Sequence, residues 1–186
     1  MRANLRGAGV FPPGHFYSPL IDIEAQAPNA HGVEFDGPEL WENIDLRPEG
    51  LRQYYSDLVA NYSTIQFPRQ KEAGFRYFSE NEAFTFGDAF TLSAILLKEK
   101  PRRVIEVGSG FSSAVMLDTA ARIPNRPSFT FIEPCAKRLE SLITAEDVAT
   151  TEILRQRVQE VPLSYCDQLE ARDFLFIDSS HAFGWQ

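Results

Sequence analysis

The chain has 186 residues, 44% of them hydrophobic and 12% aromatic, enough to bury a real core in one domain or in a domain with an extension. Its 18 basic and 26 acidic residues give a formal net charge of −8 with the basic residues scattered, which argues against the phosphate neutralisation on which nucleic-acid binding depends. No run approaches the roughly 20 apolar residues of a membrane span, and the two cysteines, Cys135 and Cys166, lack CxxC or metal-ligand spacing, so the expectation is a cytoplasmic protein with reduced structural thiols and no membrane partner.

Residues 1–50 are rich in prolines and turn formers, as in Phe11-Pro-Pro-Gly-His-Phe-Tyr-Ser-Pro19, and read as an irregular arm. Leu51, Tyr54, Tyr55, Leu58, Val59 and Tyr62 recur at spacings of three and four, which predicts a helix over 49–62 whose apolar face docks on the main domain. After Phe67-Pro68 comes an aromatic, loop-like stretch containing Phe75-Arg-Tyr-Phe78, Asn81, Phe84 and Phe86. Gly87-Asp88 then reads as the cap of a helix over 89–98, with lysines at its C-terminal end where the helix dipole favours them.

From there strands and helices alternate: strand 104–107, helix 112–122, strand 129–132, helix 136–142, a weaker strand near 153–158, a short helix near 165–169 and strand 174–177. This pattern predicts an α/β, Rossmann-like domain with a parallel sheet over 87–186, preceded by an irregular and helical extension or cap over 1–86. In the common doubly wound strand order, 174–177 would be an apolar edge lacking its usual neighbour, open to pairing with a second copy of the chain.

The most informative stretch is Arg103-Val-Ile-Glu-Val-Gly-Ser-Gly-Phe-Ser-Ser113, an apolar strand, an acid and two glycines leading into a helix. Gly108 and Gly110 let the backbone approach a ligand, and the helix aims free amides at the same point; without a ligand the same residues make a tight strand-to-helix turn. Two further strands end on acids, Glu133 and Asp178. Glu133 lies 23 residues after Gly110, a placement from which a carboxylate accepts both ribose hydroxyls of a nucleoside-containing cofactor. A nicotinamide dinucleotide would favour a third glycine where Ser113 stands and disfavour Glu106 near its pyrophosphate. S-adenosylmethionine has no phosphate and carries a sulfonium and an ammonium, so the acidic Glu106-Val-Gly-Ser-Gly110 loop favours it.

The block 103–118, then Phe131-Ile-Glu-Pro134 and Asp173-Phe-Leu-Phe-Ile-Asp-Ser-Ser-His181, resembles bacterial class I S-adenosylmethionine-dependent methyltransferases of the group called methyltransferase family 24. Pro12-Pro-Gly-His-Phe-Tyr-Ser-Pro19 and Phe75-Arg-Tyr-Phe78 with Asn81, Phe84 and Asp88 also resemble that group. The resemblance implies a class I methyltransferase fold and a cofactor site formed by Glu106, Gly108, Ser109, Gly110, Ser112 and Glu133. Gln159 and Glu160 would lie near the adenine, and Asp178 would face the reaction centre. Members of the group continue past the Asp-Ser-Ser-His segment with another helix and more strands, so the sequence reads as truncated after its fourth strand.

Methyl transfer from a charged sulfur rests mainly on holding the acceptor in line, with a base needed only for a protonated acceptor. Asp178 and His181 are the candidate catalytic residues; His181 serves equally well as a loop cap after the strand. A divalent ion at Asp178 would need oxygen ligands from later strands, so no metal site is expected. His15, Tyr17 and Tyr77 fit either a lid over the donor or a packed proline-aromatic arm. The leading expectation is thus a methyltransferase acting on a small acceptor. Its alternatives are a degenerate relative that at most binds the cofactor and, with Ser113 and Glu106 against it, a nicotinamide-dependent oxidoreductase.

Overall fold

In the computed structural model, which describes residues 47–60 and 62–178, four strands form one parallel sheet. They are β1 (Arg103–Val107), β2 (Ser128–Ile132), β3 (Glu152–Leu154) and β4 (Phe174–Ile177), arranged in the order β3-β2-β1-β4. Paired on both sides, β1 is a nearly continuous apolar run with Val104, Ile105, Glu106 and Val107 all buried. Around the sheet lie α1 (Pro48–Val59), α2 (Phe86–Glu99), α3 (Phe111–Ala120), α4 (Lys137–Leu142) and α5 (Ala145–Thr150). The architecture is α/β and compatible with a Rossmann-like fold. No helix among the described residues is long and apolar enough to cross a membrane.

The period of two along the strands divides the apolar residues between two faces. Val104, Phe129 and Phe131 join Leu92 and Leu96 of α2, Leu139 of α4 and the apolar residues of α3 in the main core. Ile105, Val107 and Ile132 meet Leu154, Val161 and Leu169 on the other face. There Leu175 and Ile177 of β4 remain 45% and 63% exposed, and β4 is an edge strand among the described residues. All ten residues of α3 are buried, which explains why its sequence is apolar nearly all round rather than striped. Its polar residues have partners: Thr119 shares a hydrogen bond with Ser93 at 2.7 Å and donates to the Val115 carbonyl.

Several local expectations change. Helix α2 starts earlier than 89, with Thr85 as its N-cap and Asp88 as the third helical residue. The Asp88 carboxylate accepts from the Thr85 amide at 2.9 Å and from its hydroxyl at 2.7 Å, so Gly87-Asp88 lies inside the first turn. Strand β3 stops at Leu154, and residues 158–160 and 163–168 form 3-10 turns in place of the longer strand and the short helix. Helix α5 carries no strong apolar stripe; its signal is Thr144 followed three residues later by Asp147, which cap each other reciprocally. In α1, Leu58 and Tyr54 pack towards α2, whereas Leu51, Tyr55 and Val59 are exposed. Polar contacts complete that docking, with Tyr54 donating to Glu99 at 2.9 Å and Lys98 pairing with Asp57 at 2.5 Å. The expected arm over residues 1–46, with His15 and Tyr17, and His181 lie outside the described residues.

The loop before α2 is tied to the helices by Arg76. Its Nε and Nη2 donate to Asp147 at 2.6 and 2.7 Å, and its Nη1 donates to Asp118 of α3 at 2.9 Å. The amides of Arg76 and Tyr77 also donate to Asp118, at 3.0 and 2.9 Å. Burial pushes Asp147 towards the protonated form, but Arg76 and the amide and hydroxyl of Thr144 outweigh it and hold the carboxyl at about 2. Removing the guanidinium would leave two buried carboxylates without their main counter-charge. Arg76→Ala is therefore expected to cost about 3–5 kcal/mol in urea unfolding at neutral pH; a loss below about 1 kcal/mol would show that the network is solvated.

Candidate active site

Because all strands run parallel, their C-terminal ends lie along one edge of the sheet, where open α/β sheets bind ligands. The ladder continues one step past the strands. The Gly108 amide donates to Ile132 at 3.0 Å, the Glu133 amide to Leu154 at 3.0 Å and the Asp178 amide to Val107 at 2.8 Å. The fold thus brings Gly108, Glu133 and Asp178 together at the edge, with Glu106 one residue inside it. Gly108 has φ of 85°, a left-handed conformation that glycine adopts without steric penalty.

Glu106 is fully buried. Val104 and Glu106 share a face of the sheet by strand alternation, so the carboxylate turns towards α3 and accepts from the Ser113 hydroxyl through Oε2. Ser113 in turn accepts from the Gly110 amide at 2.9 Å. A chain of hydrogen bonds thereby fixes the acid, the second glycine and the first turn of α3 as one unit. Among the described residues, Oε1 of Glu106 has no hydrogen-bond partner, nor does the buried hydroxyl of Ser109 on the glycine loop. Burial pushes the Glu106 carboxyl up to about 7; the dipoles of the nearby Ser112, Ser113 and Ser109 hydroxyls oppose that rise, although the Ser109 hydroxyl lies outside hydrogen-bonding geometry, and the charge of Asp178 adds to it. Buried polar atoms are nearly always paired, so these two oxygens, one near the end of β1 and one on the glycine loop, set this edge of the sheet apart.

Glu133 is also buried and accepts from the Ser109 amide at 3.2 Å and the Cys135 amide at 2.8 Å. A carboxylate has about four acceptor positions, so capacity remains for hydroxyl donors. Ser112 is buried in the first turn of α3. Gln159 and Glu160 lie in the exposed 3-10 turn after β3, where Glu160 accepts from the Arg157 amide at 3.1 Å. Asp178 is half-buried at the end of β4. Tyr77, one of the lid candidates, belongs to the core instead: it is fully buried, donates to the Phe84 carbonyl at 2.9 Å and meets Phe67 edge-on at 4.9 Å.

Two residues gain importance from the structure. Ser113 stands where a dinucleotide fingerprint would place its third glycine, and it connects Gly110 to Glu106. Its position three residues after the glycine N-cap of α3 is the sequence signal for that role. Arg138 of α4 had no such signal. A methyl group on Gly110 would lie 3.1 Å from Arg138 Cδ, and the guanidinium carbon is 5.9 Å from the centroid of the Phe111 ring. Among the described residues, no three His, Cys, Asp or Glu side chains gather as a metal site requires.

No family model matches the chain. It is 30% identical over 168 residues to an uncharacterized protein of Archaeoglobus fulgidus, an alignment that spans 87% of this chain and 74% of the archaeal protein.

The raised Glu106 carboxyl makes stability depend on pH. The folded chain holds a proton that the unfolded chain releases above its ordinary value of 4.5, so the stabilisation is complete below that value and is lost as pH rises through about 7. At roughly 1.4 kcal/mol per unit, this residue should remove about 3 kcal/mol between pH 4.5 and 8. Glu106→Gln, which mimics the neutral acid, is expected to flatten that part of the profile and to be the more stable form at pH 8. Urea unfolding across the range checks it; an unchanged slope would place the dependence on other groups.

Proposed function

We propose that this chain, which belongs to the same family as the archaeal protein, binds S-adenosylmethionine at the ends of β1 and β2 and transfers its methyl group to a small acceptor. The observation that carries this reading is the pair of orphaned buried oxygens, Glu106 Oε1 and Ser109 Oγ, on an acidic glycine loop. A ligand with a cationic end satisfies them and favours the ionised form of Glu106. A pyrophosphate would meet the same carboxylate with like charge, which supports the methyl donor over a dinucleotide.

When bound, the donor supplies an electrophilic methyl group on a positively charged sulfur. Each of the chain's own residues then has a distinct task. Glu106 and Ser109 hold the ammonium-bearing end, and Gly108 keeps the backbone low enough for close approach. Glu133, already braced by two amides, accepts from the ribose hydroxyls. Gln159 and Glu160, in the turn after β3, border the adenine side. Asp178 orients the acceptor and takes its proton where it has one to lose. Most of the acceleration comes from alignment of acceptor and donor, so one acid at the strand end suffices.

Calorimetric titration with S-adenosylhomocysteine, with NADH as the comparison ligand, tests the reading. Saturable binding of the former alone is expected; tighter binding of NADH, or no binding by a folded chain, would reject it. Affinity should weaken about tenfold for each pH unit below 7, because the ammonium selects the ionised Glu106. Glu133→Ala is expected to weaken binding by about 1.5–3 kcal/mol, the range for hydrogen bonds to a charged group. Unchanged affinity would remove Glu133 from the ribose contact. Methyl transfer to a panel of small hydroxyl, amine and thiol acceptors then separates an enzyme from a module that only binds.

A further inference from the structure

Two buried hydroxyls of α3 are satisfied in different ways. Thr119 donates back to the Val115 carbonyl one turn earlier, the ordinary resolution for a hydroxyl inside a helix. Ser113, fully buried, instead donates across to Oε2 of Glu106 in β1 while accepting from the Gly110 amide at 2.9 Å. Alanines pack at other buried positions of the helix, Ala114 and Ala120 among them. What distinguishes Ser113 is therefore its pair of bonds and not its volume.

The direction of those bonds follows from the amide. A backbone N–H can only donate, so the Ser113 oxygen accepts from Gly110 and its single hydrogen is left for Glu106. Oε2 thus acts as an acceptor in both charge states, since a proton on Oε2 would turn the Ser113 hydrogen away from it. In the neutral acid the proton accordingly occupies Oε1, the oxygen without a partner among the described residues. Phe131 and Phe176 stand in register with Glu106 on the neighbouring strands, so neither strand offers Oε1 a polar side chain at that level. A cation that reaches Oε1 takes the place of that proton; a neutral apolar group of similar size does not. On ionisation the Ser113 bond becomes charge-assisted and stronger. Burial raises the Glu106 carboxyl, and the Ser113 hydroxyl is among the groups that oppose the rise.

We infer that Ser113 is a positioning residue: it engages Oε2, leaves Oε1 of Glu106 for the ligand, and so sets a preference for a donor with an ammonium over one without it. This rests on reading the site as one for an aminoacyl sulfonium nucleoside. It adds that selectivity for the cationic end is built by a residue that acts through Glu106.

The experiment measures the affinities of wild type, Ser113→Ala, Glu106→Gln and the double variant for S-adenosylhomocysteine and for its deaminated analogue, which keeps the carboxylate and the nucleoside. Wild type is expected to prefer the ammonium-bearing ligand. Ser113→Ala should cut that preference by on the order of 10- to 100-fold, the effect of removing one charge-assisted hydrogen bond, while affinity for the analogue changes less than about threefold. Glu106→Gln should remove the preference, and adding Ser113→Ala to it should change the ratio of affinities no further. Ser113→Cys, close to serine in shape but a weak donor, should behave as the alanine variant and takes its place if that one fails to fold. Equal losses for both ligands would make Ser113 a packing residue. That result, no loss for either ligand, or the same drop in the ratio with and without the Glu106 carboxylate would overturn the assignment while leaving the donor site in place. Failure of folded wild type to bind S-adenosylhomocysteine would overturn the donor reading and this inference with it.

Discussion

The constraint on which the site depends is a carboxylate placed inside the sheet. Glu106 occupies a core position of β1 with only one oxygen engaged, through Ser113 to the Gly110 amide. An acid in that position raises the free energy of the folded chain as soon as it ionises, and an aliphatic residue would pack there without that cost. The same hydrogen-bond chain links the acid to the conformation of the glycine loop and the start of α3. A change in the charge of Glu106 is thus felt at the backbone a ligand would touch. Stability given up at a strand end is characteristic of places where a ligand, rather than the fold, supplies the missing partner.

Holding that acid in place requires a rigid surround. Helix α3 is buried on every side, so it can move only if the packing of α2, α4 and the sheet moves with it. One of its anchors is the buried Asp118, which takes the Arg76 guanidinium and two loop amides. Arg76 also binds Asp147 at the start of α5, so one side chain connects the pre-α2 loop to two helices. That loop carries Asn81 and Glu82 and ends in the Thr85 cap of α2. That segment is consequently supported at both ends.

Much of this was legible in the sequence because it depends on order along the chain. Parallel strands place successive acid-terminated ends on one edge, so Glu106, Glu133 and Asp178 could be grouped from their positions alone, and the strand 174–177 matches β4 residue for residue. What was not legible depends on distance across the chain. Arg76 meets Asp118 and Asp147 over separations of 42 and 71 residues, and no local pattern marks such pairs. Tyr77 illustrates the same limit. An aromatic with a polar tip fits a lid as well as a core, and only its bond to the Phe84 carbonyl and its contact with Phe67 decide for the core. Helix α5 is too short to show a period, although its Thr144 and Asp147 cap was present in the sequence.

The electrostatics of the edge complete the argument. Glu106, Glu133 and Asp178 together would repel any anion, and the chain as a whole carries a formal charge of −8. Glu133 relieves part of that repulsion by accepting two amides, and Glu106 relieves more because burial pushes its carboxyl up to about 7.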